Sequence, residues 1–356
     1  MFRSIAILGL FVVSGASAAP TCDATVLKSL TEPATEAAKS VSLKCSLKLS
    51  SSTVVTKQII FDGEAASGVV LDCAGATLDG RGVNADQDMI MIRSKKLAKP
   101  SADGSLWSAP QDITIKNCKI FGSMRIYGMA KNGEGADLRE SSRLDKNHTQ
   151  RAQKNAPKNI LLDNLTITGK SRVPLDLSPG VTKVTLQNSN LTGTSSSVAM
   201  YLDAESGFNI IRNNYIHVET ESREQVAVDA SAYNTITGNR FSGLNHGGIY
   251  LYRNCGEGGT IRHQSPTHNQ ILDNKFYYDK YKGSNPAVYL GSRNGNRGYC
   301  GDDEGFPWGS SVNNNDFATE NIVANNLFRK RDPSSLIVQR SKPNKIQNNK
   351  SVDEFN

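Results

Sequence analysis

The sequence predicts an all-β fold, a right-handed parallel β-helix solenoid with an N-terminal cap and inserted loops. Three observations predict it. A short phrase containing asparagine recurs along most of the chain, a second strand-like segment accompanies it in the same repeats, and the connectors are short and rich in Asn, Ser and Gly. A doubly wound α/β fold would need helices between its strands, and a leucine-rich horseshoe would need a leucine spacing that is absent here.

The phrase is a polar residue, a short apolar or β-branched run, an asparagine and another apolar residue. It reads across Ile113–Ile120, Ile160–Ile167, Val184–Leu191, Ile210–Ile216, Thr235–Phe241, Ile271–Phe276, Ile322–Phe328 and Lys345–Asn349. Asp112, Asn159, Lys183, Asn209, Asn234, Asn269, Asn321 and Asn344 open these phrases, at spacings from 23 to 52 residues with a base period near 24. One such unit cannot bury its own apolar side chains, so coils must stack in parallel at about 4.8 Å per turn, and the longer spacings mark insertions. Asn117, Asn164, Asn188, Asn213, Asn239, Asn274, Asn325 and Asn348 recur at one place in the phrase. Asparagine tolerates left-handed backbone and its amide can bond the same group one coil away, so stacking explains these residues without a ligand.

The second strand occurs at 173–177, 198–202, 226–229, 249–252, 288–290 and 336–338. Its alternation turns Val, Met and Leu inward and leaves Asp176, Tyr201, Asp203, Asp229, Tyr250, Tyr252, Tyr289 and Arg293 as one outward ladder, with Arg253 and Asn254 just beyond a strand end. Tyrosine rings stack on pyranose faces, while acids and arginines take hydroxyls or uronates. The alternative is that the tyrosines only stack between coils.

Before the repeats, Arg3, an apolar run from Ile5 to Val13 and the small residues Ser14–Ala19 have the order of a cleavable secretory signal covering residues 1–19. The apolar run is too short to span a bilayer, so an exported, periplasmic or extracellular protein is expected. Residues 20–356 are read as one β-helix domain, with 20–60 as cap and first strands and with inserted loops at 123–158 and 291–320. The six cysteines all follow the signal and form no Cys-x-x-Cys pair. Disulfides are therefore expected rather than metal, and proximity in the chain suggests Cys22–Cys45, Cys73–Cys118 and Cys255–Cys300.

The formal net charge of +7 favours an anionic partner, against the plainer reading of a solubilising surface. If the first insertion folds over the ladder, Arg139, Arg143 and His148 would meet such a partner. His246 sits among glycines before the strand carrying Tyr250 and Tyr252, and its ordinary pKa suits proton transfer. In the second insertion Trp308 is a candidate sugar platform. The neighbouring Asp302, Asp303 and Glu304 could take calcium, but consecutive carboxylates point apart and lack an EF-hand spacing, so no cofactor is expected. Basic residues are scattered and no Gly-rich phosphate loop follows a strand, so no nucleic-acid or nucleotide partner is expected.

The segment Val69-Val-Leu-Asp-Cys-Ala-Gly-Ala-Thr-Leu-Asp-Gly-Arg-Gly82 resembles the first-coil phrase of pectin-degrading and related enzymes, and the resemblance to the pectate-lyase-like superfamily covers most of residues 54–350. It implies the β-helix fold and a carbohydrate-active protein. Asn245-His246-Gly247 only partly matches the polygalacturonase signature; the Asp-Pro-His-Asp signature of mannuronan epimerases and the arginine-bearing calcium site of pectate lyases are absent.

Three functions follow. The first is a polysaccharide lyase acting on an anionic, uronate-containing glycan, with Tyr250, Tyr252 or His246 moving protons, Arg253 or Arg293 neutralising charge, and Tyr201 a further catalytic candidate of the ladder. The second is a glycoside hydrolase using Asp203 and Asp229, which fall on adjacent coils. The third is a non-catalytic glycan-binding adhesin.

Overall fold

The computed structural model describes residues 18–102, 104–278 and 282–355. The signal expected at 1–19 therefore lies almost wholly outside the described residues. Among the described residues the chain winds as a right-handed parallel β-helix whose coils each give one strand to each of three long sheets of ten strands, with Glu219–Thr220 pairing additionally beside the third. A two-stranded ribbon, Lys95–Lys96 with Trp107–Ser108, is antiparallel, as is an isolated bridge from Thr35 to Ala38.

Strand register shows why the sequence folds this way. In the sheet that carries the predicted ladder, Ile90, Met124, Leu175, Met200, Val226, Ile249 and Val288 stand in line. All are fully buried and belong to one continuous core. A parallel sheet leaves no room for a slip of one residue, because that would turn the whole apolar column outward. Inside the core Phe241, Phe276 and Phe328 stack with ring centroids 5.2 and 5.0 Å apart.

The amino-terminal end is closed by a helix at Ala24–Thr31, whose first turn is capped by Asp23 accepting from the Val26 amide at 2.9 Å. Leu30 of this helix is buried in the core, and Lys57 Nζ donates to the Ser29 carbonyl at 2.7 Å. The three disulfides join Cys22 to Cys45, Cys73 to Cys118 and Cys255 to Cys300, the pairing expected from proximity.

Two details differ from the sequence reading. The roles assigned to one asparagine per phrase are divided between consecutive residues. Asn117, Asn164, Asn188, Asn213, Asn325 and Asn348 take the left-handed conformation, with φ between 52° and 59°. The amide column of the later coils keeps to the expected residue at Asn239 and Asn274 and moves to the next one elsewhere: Asn214 Nδ2 donates to Asn239 Oδ1 at 3.0 Å, Asn239 to Asn274 at 3.0 Å, Asn274 to Asn326 at 3.0 Å and Asn326 to Asn349 at 2.9 Å, while in the early coils Asn164 Nδ2 donates to Asn117 Oδ1 at 2.8 Å. A second column runs Asn209, Asn234, Asn269, Asn321, Asn344. Earlier coils fill that position with Ile113, Ile160 and Val184, all buried.

The other correction concerns 123–158, which is not wholly a loop. Met124–Tyr127 is a strand of the ladder sheet, between Ile90–Arg93 and Leu175–Leu177. The inserted part follows it and folds into helices at Ala136–Leu144 and His148–Lys154.

Candidate functional site

The outward positions of the ladder sheet fall into two files. One runs Arg125, Asp176, Tyr201, Ala227, Tyr250, Tyr289. The other lies at the strand ends, where Asp229 pairs with Tyr252 and Asp203, following Leu202 and its partner Val228, faces Asp229 across one coil step. A cavity of about 390 Å³ opens on these files, with Arg125, Asp176, Tyr201, Asp203, Asp229, Asn254 and Arg293 in its wall. The inserted segment 131–134 closes one side, and Arg172, Val173, Ser197, Arg223, Glu257 and Arg262 complete the lining.

At its centre Asp229 accepts three hydrogen bonds: Oδ2 from the Tyr201 hydroxyl at 2.7 Å and from Asn254 Nδ2 at 2.6 Å, and Oδ1 from the Asn254 amide at 2.8 Å. Asp203 is buried differently. Oδ1 accepts from the Ala204 amide at 2.7 Å, and burial followed by the repulsion of Asp229 pushes its pKa well above the carboxylate range. The two acids thus share a site but not an environment.

Towards the amino-terminal coils Arg125 pairs with Asp176 at 2.9 Å and with Asp88 at 3.2 Å, and Arg172 pairs with Asp88 at 3.1 Å. Burial raises the Asp176 pKa to about 6 against the pull of Arg125. Towards the carboxy-terminal coils Tyr252 is buried, accepts from the Arg223 guanidinium and lies beneath Arg293, whose Cζ is 4.1 Å from the ring centroid. Burial, and then the charge of Asp229, raises the pKa of Glu257.

Several predicted site residues stand elsewhere. Arg139 and Arg143 do not face the cavity: they donate to the carbonyls of Gly258 and Gly259 and pin the inserted helices to the coils. His148 is buried beneath them, its Nδ1 3.0 Å from Ser141 Oγ, and desolvation lowers its pKa to about 4. Trp308 does not line the cavity: its ring packs beside His263 and Phe306 and its Nε1 donates to Ser142 O at 3.0 Å.

Arg253 turns away from the groove, donating to the Asn313 and Asn315 carbonyls, and burial lowers its pKa to about 10. His246 is half-buried beside Thr220, 3.4 Å from Nδ1 to Oγ1, outside the cavity lining. Tyr250 and Tyr289 continue the outward file beyond the cavity, in edge-to-face contact at 5.4 Å. Tyr252 lies under the wall rather than in it. The cavity therefore gathers Asp176, Tyr201, Asp203, Asp229 and Arg293 from the predicted set.

Sequence reasoning missed Arg125, Arg172, Arg223, Glu257 and Arg262. Arg125 was signalled by the alternation of Met124-Arg-Ile-Tyr127. Arg262 has no local signal: it is buried in a connector, where Nη1 donates to the Gly133 carbonyl at 2.6 Å and a Cβ on Gly133 would collide with its guanidinium.

The family described as "Periplasmic copper-binding protein (NosD)" matches residues 83–299. The chain belongs to the NosD family. No curated protein matches it. Among solved structures it is similar to PfbA, a surface protein and adhesin of Streptococcus pneumoniae, at 12% identity over 88% of this chain and 78% of that one, TM-score 0.43. Tailspike protein 2 of the Escherichia coli O157:H7 bacteriophage CAB120 matches at 11% identity over 82% of this chain and 32% of that one, TM-score 0.36. The A-module of the Azotobacter vinelandii mannuronan C-5 epimerase AlgE6 matches at 11% identity over 95% and 97%, TM-score 0.28. At these scores the likenesses carry no argument about the site.

NosD proteins are periplasmic, and the three disulfides of this member fit an exported protein. No helix among the described residues is long and apolar enough to cross a membrane.

The family description names copper, and the His, Cys, Asp and Glu side chains among the described residues form no group of three placed to hold a metal ion. Copper sites draw on thiolate, thioether and imidazole ligands. Here every cysteine is in a disulfide. His148, His217 and His263 are engaged with Ser141, Ser242 and the Ser142 carbonyl. At the acidic triplet, Asp303 is buried and accepts from Ser310 Oγ.

Proposed function

We propose that this NosD-family protein is an exported enzyme that hydrolyses glycosidic bonds of a polysaccharide lying along the ladder. The observation that carries the reading is the contrast between Asp203 and Asp229. Glycoside hydrolysis needs one carboxyl that holds its proton to give to the leaving oxygen and one carboxylate on the opposite role, as nucleophile or base. Burial and a neighbouring acid raise the pKa of Asp203, which favours its holding a proton, whereas Asp229 accepts from the donors of Tyr201 and Asn254. Two acids whose surroundings differ in this way are the usual mark of divided proton-transfer roles.

β-Elimination is the second reading, favoured by Arg223 and Arg293 beside Tyr201 in the same wall. It requires Tyr201 to act as the base, and burial together with Asp229 raises the pKa of its hydroxyl. His246, Tyr250 and Tyr252, the other proton carriers considered, do not line the cavity.

The test is incubation with a panel of neutral and acidic polysaccharides. Hydrolysis releases reducing ends without the ultraviolet absorbance of an unsaturated uronate. Asp203→Asn and Asp229→Asn should each lower kcat by about 10²- to 10⁴-fold with unchanged circular dichroism. New ultraviolet absorbance would replace the reading with elimination, and binding without products would replace it with a glycan-binding role.

A further inference from the structure

The cations around the cavity are not equivalent. Arg125, Arg172 and Arg223 are each matched by a carboxylate, Asp176, Asp88 and Glu224 respectively, at 2.9 to 3.1 Å. Arg293 is different. Its guanidinium donates to Asn254 Oδ1 and the Tyr299 hydroxyl, both neutral, and lies over the Tyr252 ring. The nearby Asp316 carboxylate is taken up by the backbone amides of Arg253, Arg293 and Asn294. Arg262, in the wall beside it, sends its guanidinium to the carbonyls of Asn254 and Gly133, with Asp229 and Asp203 acting on it through space. Among the described residues no carboxylate is in salt-bridge contact with the half-buried Arg293 guanidinium, although the charge of Asp229 acts on it through space, and its planar fork suits a carboxylate.

We infer that Arg293, backed by Arg262, is a subsite for the carboxylate of an acidic sugar, seated on the carboxy-terminal side of the Asp203–Asp229 pair. The position follows from the coil order: Asp203, Asp229 and Tyr252 sit on successive coils, and Arg293 covers the last of them. The guanidinium lies over the ring of Tyr252 and Asn254 joins it to the Asp229 cluster, so an acid group bound there fixes the neighbouring linkage over the two acids. The assignment rests on the hydrolase reading only for which bond is presented.

The probes are short oligomers of galacturonic, mannuronic and glucuronic acid, each beside its carboxyl-reduced neutral form. Binding is measured by calorimetry to the Asp203→Asn protein, so that turnover does not interfere. At least one acidic oligomer should bind about 10- to 100-fold more tightly than its neutral form, the range set by a charge-assisted hydrogen bond. Arg293→Met should abolish that preference, and Arg293→Lys, which keeps the charge without the fork, should retain part of it. Arg297→Met, which removes an exposed arginine of the same loop, should leave it intact.

Equal affinity for acidic and reduced oligomers, no binding of any acidic oligomer, or a preference that survives Arg293→Met in protein with an unaltered melting curve would overturn the subsite. The two readings fail separately. An acid preference without new reducing ends from the wild-type protein would keep the subsite and remove hydrolysis, whereas undiminished hydrolysis of the reduced oligomers would do the reverse.

Discussion

Asp203, Asp229 and Tyr201 were legible in the sequence because period-two alternation gives the face of every strand residue, and a constant coil length brings equivalent residues together. His148 was read on residue type alone. It shares a basic, polar stretch with Arg143 and Arg151, which looks solvated, yet packing of the inserted helices buries it completely. That burial has a pH signature. The folded pKa is lowered to about 4, so between there and the ordinary histidine value the unfolded chain binds more protons than the folded one. The stabilisation from keeping His148 neutral is complete above about pH 6.5 and is lost as the pH falls through about 4, by about 3 kcal/mol. Urea titrations at pH 7 and pH 4.5 should show this loss in the wild-type protein and a smaller one in His148→Gln. An identical pH dependence in both would assign the effect to other groups.

At the scale of elements, the repeat in the sequence predicted the coils and the amide column at Asn239 and Asn274, but placed that column one residue early at Asn213, Asn325 and Asn348. Local sequence cannot separate the two positions, because both favour asparagine in the later coils, and only register shows which amide meets its neighbour. Asn269 stands mid-column: its Oδ1 accepts from the backbone amide and Nδ2 of Asn234 at 2.9 and 2.8 Å, and its Nδ2 donates to Asn321 Oδ1 at 3.1 Å. Asn269→Ala leaves buried donors without acceptors and should cost about 1–3 kcal/mol in denaturant unfolding. A neutral result would mean that water replaces the amide. The strand Met124–Tyr127 was overlooked for another reason. It is followed by the longest run without a repeat phrase early in the chain, so its alternation was absorbed into the insertion.

For the molecule as a whole, the candidate site combines one regular surface, the ladder, with two irregular ones, the segment 131–134 and the loop from Arg293 to Asp316. The regular part follows from sequence; the irregular parts depend on contacts between residues more than a hundred positions apart, such as Arg262 with Gly133. The disulfides divide along the same line. Cys255–Cys300 ties the loop carrying Arg293 and Tyr299 to the coils, whereas Cys22–Cys45 lies in the cap. Replacing either pair with serine should destabilise the protein by about 2–4 kcal/mol. Only the loss of Cys255–Cys300 should also raise KM or weaken oligosaccharide binding, measured below the melting range of both variants. Equal effects on binding would show that the loop is held by its packing alone.

The asparagine columns have one more consequence. Each amide is clamped between the coil before and the coil after, so the axial distance between successive side chains of the ladder is set by the backbone and cannot drift with what those side chains are. The groove behaves as a comb with fixed teeth. Adapting it to a different polymer means exchanging individual teeth, as Ala227 stands between Tyr201 and Tyr250, because the pitch itself is not available for change.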